Sequence, residues 1–109
     1  ILSTAKIILV MCGYSVLLTQ NGKEALEVFR EKNNEIDLVL LDMIMPVMTG
    51  RDAYIEMKKI KSDVKVILSS GFKRDEKVEE ILGLGVNAFL QKPYRIETLS
   101  SIVWHVLNE

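Results

Sequence analysis

Cysteine, proline and glycine are scarce in this chain, with counts of 1, 2 and 6, and neither sign of charge is in surplus. Each shortage removes a class of protein. With Cys12 alone, no internal disulfide can form and no paired-cysteine metal or redox motif can be assembled. Such a sequence suits a reducing cytoplasm, and Cys12 itself reads as a small buried hydrophobe. Fourteen Lys and Arg against fifteen Asp and Glu leave a net charge of −1 and a pI near 5.9. That balance lacks the basic excess that phosphate backbones attract, so direct nucleic-acid binding is not expected. The longest apolar runs, Ile7 to Cys12 and Leu38 to Leu41, fall far short of the ~20 residues that span a bilayer, so no membrane crossing is expected. No charged N-terminal region leads into an apolar stretch and cleavage site, and Ile1 in place of methionine suggests a start inside a longer chain. A Gly-rich phosphate loop, a Walker sequence, internal repeats and Pro/Ser-rich linkers are all missing from the sequence.

What remains is 109 residues and 12.4 kDa, 49% apolar and 27% charged, with a mean hydropathy of +0.19: one domain with a sizeable core. Ile1, Ala5, Ile8 and Cys12 recur at helical spacing, and Gly13 ends the helix. Ser15 to Leu18 reads as a short strand, and Asn21-Gly22 leads into a helix over Lys23 to Lys32. The continuous apolar run within Asp37 to Leu41 predicts a central strand, covered on both faces. Arg51 to Lys61 reads as a helix, Val64 to Leu68 as a strand, and Asp75 as the cap of a helix carrying Val78, Ile81 and Leu82. The charge run Lys73 to Lys77 is the solvated start of that helix. Val86 to Leu90 is a further strand, and Ile96 to Leu107 a last amphipathic helix. Strands alternating with helices require right-handed crossovers, which predicts an α/β fold with a doubly wound parallel sheet.

In such sheets function collects at the carboxyl ends of the strands. Asp42 follows Leu38 to Leu41, Ser69 and Ser70 follow Val64 to Leu68, and Lys92 follows the strand ending at Leu90. A carboxylate, a hydroxyl and an ammonium are thereby brought to one sheet edge, in a combination that ordinary loop polarity does not readily explain. His105, alone on the last helix beside Trp104, is given no role.

Asp42-Met43-Ile44-Met45-Pro46-Val47-Met48-Thr49-Gly50, together with Ser70-Gly71 and Lys92-Pro93, resembles the receiver domains of two-component response regulators over the whole chain. The resemblance implies a flavodoxin-like sheet of strand order 2-1-3-4-5. It also implies that Asp42 accepts a phosphoryl group from a histidine kinase or phosphotransfer protein, that Lys92 supplies a fixed cation, and that Ser70, rather than Ser69, bonds a phosphoryl oxygen. Mg²⁺ would be held by the Asp42 carboxylate and the Ile44 carbonyl. Phe89 matches the family's switching aromatic, and Lys92-Pro93 its cis peptide. A downstream output domain or protein is implied as partner, and a homodimer is compatible with the pattern. Ile44 and Phe72, two residues beyond Asp42 and Ser70, are apolar and cannot orient a hydrolytic water, so the acyl phosphate is expected to be long-lived.

The chain departs from the family at its start. It opens in the helix that follows the family's first strand, so that strand and its acidic metal-holding pair are absent and are expected upstream of Ile1. The full metal site, and with it phosphorylation, is expected only when they are present, and Leu38 to Leu41 should then have backbone partners on both sides. The alternative reading is a degenerate receiver serving as a non-phosphorylated interaction module. A flavodoxin-like cofactor enzyme has little support, because no Asp-x-His cobalamin motif appears either.

Overall fold

A computed structural model describes residues 4–43, 47–71 and 76–109. Ile1, Ile44 and Met45-Pro46 of the motif, Phe72, and Lys73 to Asp75 of the charge run, the cap residue among them, lie outside the described residues. The elements are α1 (Thr4–Met11), α2 (Gly22–Lys32), β1 (Val39–Asp42), α3 (Gly50–Ile60), β2 (Val66–Ser70), α4 (Glu76–Gly83), β3 (Ala88–Gln91) and α5 (Ile96–Leu107). Short polar residues start two of the helices. The Asn21 side chain accepts from the Glu24 N–H at 2.9 Å, and the Thr49 hydroxyl accepts from the Asp52 N–H at 3.2 Å.

The strands form one parallel sheet in the order β1-β2-β3, with Asp42 in register with Ser69 and Ser70 with Gln91. Alternation along each strand sends side chains to two cores. Leu41, Val66 and Leu68 join Leu26 and Phe29 of α2, Tyr54 and Met57 of α3, and Ile81 of α4 on one face. On the other, Ile67 and Leu90 pack with Ala5 and Ile8 of α1 and Leu99, Val103 and Val106 of α5. Helices thus cover both faces, as the doubly wound reading requires.

Three local expectations are corrected. Ser15 to Leu18 forms no strand, and Leu17 and Leu18 are 58% and 46% exposed. β-branching favours a strand but cannot supply a ladder, and the segment has no strand partner among the described residues. β1, expected at the centre, is an edge strand here, with β2 as its one neighbour among the described residues. The N–H groups of Val39 and Met43 donate to Lys65 and Ser69 carbonyls of the β2 side at 2.9 and 2.8 Å, so alternation turns the Leu40 backbone groups away from β2. Cys12 is exposed, not buried: α1 ends at Met11, and the turn through Gly13 (φ +94°) carries the thiol off the buried stripe of Ala5 and Ile8.

Candidate functional site

β1, β2 and β3 run parallel and in register, so their last residues reach the same edge of the sheet. Asp42 ends β1 there, and Lys92 stands just past β3. The Lys92 Nζ donates to Asp42 Oδ2, an ion pair that crosses the end of the intervening strand. Both side chains remain accessible, at 41% and 37% exposure, so an approaching anion can compete for the ammonium. Ser70 ends the central strand and is buried, and its carbonyl accepts from the Lys92 N–H at 2.7 Å. The backbone thereby holds Lys92 beside Ser70 while its side chain reaches Asp42. The Lys92–Pro93 peptide is cis.

The start of α3 is pressed against the same strand end. Gly50 N–H donates to the Met43 carbonyl at 3.1 Å, and a Cβ at Gly50 would collide with the backbone of Asp42 and Met43. Glycine is therefore required by close approach at this point of the motif. Phe89, half-buried, packs on the core that contains Leu68, two residues before Ser70.

The structure thus brings Asp42 and Lys92 into contact and places Ser70 beside Lys92, whereas Ile44 lies outside the described residues. Sequence reasoning passed over Tyr94. Burial pushes its phenol above the ordinary tyrosine range, the Lys92 ammonium opposes this, and the Asp42 carboxylate adds to it, which puts the phenol within electrostatic reach of the pair. Its signal was its position directly after Lys92-Pro93. Among the described residues no group of three or more His, Cys, Asp or Glu could hold a metal ion, and no helix is long and apolar enough to cross a membrane.

An α/β domain with a parallel sheet and a carboxylate–ammonium pair at the carboxyl ends of its strands is what the fold and the site define. Comparison with known proteins narrows that class. The family described as response regulator receiver domain matches residues 1–103. The sensor kinase CckA of Brucella abortus is 33% identical over 89% of this chain and 10% of its own length. Among solved structures, a response regulator receiver domain protein from Clostridium thermocellum superposes with a TM-score of 0.89 at 32% identity, covering 94% of this chain and 82% of that one. A chain of the CheX–CheY complex of Borrelia burgdorferi gives 0.87 at 25% identity, with 93% and 76% covered. The chain belongs to the response regulator receiver domain family, the receiver modules of two-component systems found in sensor kinases and response regulators. It spans between 10% and 35% of the length of the curated relatives it matches.

Proposed function

We propose that Asp42 is the phosphoacceptor of this receiver domain. The observation that carries the reading is the Lys92–Asp42 ion pair across the end of β2, with Ser70 at that end. A carboxylate oxygen of Asp42 attacks the phosphorus of a phosphohistidine on a histidine kinase or phosphotransfer protein. The P–O bond forms as the P–N bond breaks, and the electron pair returns to the imidazole, which takes up a proton. Lys92 moves from carboxylate to phosphoryl oxygen and meets the charge that develops there, and the Ser70 hydroxyl donates to a second oxygen. The state of Asp42 is then passed through the face of α4, β3 and α5 to an output domain or protein.

The Borrelia CheX–CheY complex carries BeF₃ and Mg²⁺, the ligands this reading calls for. Asp42 offers the hard oxygen donor that Mg²⁺ prefers, but among the described residues it belongs to no group of three or more His, Cys, Asp or Glu that could hold an ion. The fit is partial: Asp42 would hold the ion together with the Ile44 carbonyl, and no step above is routed through it. Nothing in the site favours the degenerate module: Asp42 keeps a carboxylate at the strand end, paired with the Lys92 ammonium, as the phosphoacceptor reading requires.

The test is intact-mass spectrometry of the complete protein incubated with a small phosphodonor and Mg²⁺. One phosphoryl group is expected on the wild type and none on Asp42→Asn. Equal labelling of the two proteins would overturn the assignment.

A further inference from the structure

Arg51, the second residue of α3, makes a contact that the phosphoacceptor chemistry does not use. One guanidinium nitrogen lies 3.2 Å from Glu80 Oε1 of α4, and the other lies 3.8 Å from Asp52. Its Nε is buried without a hydrogen-bond partner, so the side chain is held by the ion pair in a pose that leaves one donor unsatisfied. A group in that position gains by turning toward a better acceptor. Gly50, its chain neighbour, touches the Asp42 backbone, so the Cα of Arg51 lies one step of ~3.8 Å from a residue in contact with the acceptor strand. The backbones of Arg51 and Asp42 are therefore near neighbours, and a charge added to Asp42 acts on the start of α3 over a span comparable to the screening length of about 8–10 Å.

Just past the other end of α4, the Tyr54 hydroxyl donates to the Leu84 carbonyl at 3.3 Å while accepting from the Lys58 ammonium at 3.2 Å. Two polar contacts between α3 and the α4 region are thus the Arg51–Glu80 ion pair and the Tyr54 bond, and the first of them joins two opposite charges directly. We propose that Arg51 is a charge-operated clasp. It holds α4 through Glu80 while Asp42 is an unmodified carboxylate paired with Lys92, and it is drawn off Glu80 when a dianionic phosphoryl group is carried on Asp42. The release rests on the phosphoacceptor reading above; the clasp itself does not.

Two measurements on the complete protein separate these parts. Without any phosphodonor, amide hydrogen exchange at Val78 and Ile81 is compared in the wild type, Arg51→Gln, Glu80→Gln and the exchanged pair Arg51→Glu/Glu80→Arg. Both single variants should exchange two- to fivefold faster, and the exchanged pair should return toward the wild type. Unchanged single variants, or an exchanged pair that restores nothing, would overturn the clasp. With Mg²⁺ and beryllofluoride, Glu80→Gln should bind the mimic two- to fivefold more tightly, because a competitor for Arg51 is gone, and Arg51→Gln should bind it more weakly. Shifts of the same sign, or none, would overturn the charge-driven release. If the wild type takes up no beryllofluoride, the phosphoacceptor reading fails and the release with it, while the exchange data still decide the clasp.

Discussion

β1 and β2 are written in nearly the same alphabet, Val-Leu-Leu-Asp against Val-Ile-Leu-Ser-Ser, yet they occupy different environments. Every residue of β2 is buried, with β1 on one side and β3 on the other. In β1 only Leu41 is buried, and the strand is paired on one side among the described residues. Apolar composition therefore announces a strand covered by helices, whereas its depth depends on how many neighbours complete its ladders. The difference divides the site as well. Asp42 comes from the more open strand and stays accessible from solvent, whereas Ser70 comes from the closed one and is held in a fixed surround.

The sharpest way to break that division is to remove each strand's polar terminus. Asp42→Asn should reduce phosphoryl uptake to background. Ser70→Ala should leave the acceptor working but slow it by roughly ten- to a hundredfold, the equivalent of a hydrogen bond to a charged group worth ~1.5–3 kcal/mol. Single-turnover labelling of both variants checks this, and a Ser70→Ala variant as inert as Asp42→Asn would dissolve the distinction.

The packing side of the comparison predicts a smaller separation. Leu68→Ala removes a fully buried side chain from the central strand and should cost about 2–5 kcal/mol, whereas Leu40→Ala, at a half-buried edge position, should cost about 1 kcal/mol. Urea unfolding midpoints of the two variants read the difference, and equal losses would mean that β1 is as enclosed as β2. In the 109-residue chain, the Leu40 amide should exchange its hydrogen roughly tenfold faster than those of Val39 and of Met43 just past β1, whose N–H groups are bonded toward β2. NMR-detected exchange at the three amides tests the alternation directly.

The smallest effect lies at Tyr94. Its phenol is shifted above the ordinary value of 10.0, chiefly by burial, with Lys92 lowering and Asp42 raising it. The fold thus favours the neutral phenol, so its contribution to stability is complete below the unfolded tyrosine value and is lost as pH rises through the folded one. Ultraviolet difference titration against Tyr94→Phe should show a tyrosine step displaced to higher pH. Asp42→Asn should move that step back down slightly, and a step unaffected by Asp42 would separate Tyr94 from the site.

Helical periodicity was legible wherever one face of a helix meets the sheet. α5 occupies the expected Ile96 to Leu107, and α2 and α3 begin one residue before their expected starts, at Gly22 and Gly50, behind short polar caps. The order of apolar runs was enough to place Asp42, Ser70 and Lys92 at strand ends, because successive parallel strands must all finish at the same edge. Ser15 to Leu18 could not be judged in the same way: its strand character depended on a ladder partner, which is a non-local property. Only the tertiary structure decided that β1 has β2 as its one neighbour among the described residues, that Cys12 leaves the core, that Tyr94 comes near the Lys92–Asp42 pair, and that Arg51 reaches Glu80 of another helix. Periodicity records which side of an element faces the core, and it carries no record of which element stands opposite; that is set when the chain packs and each backbone group and charge takes a partner distant in sequence.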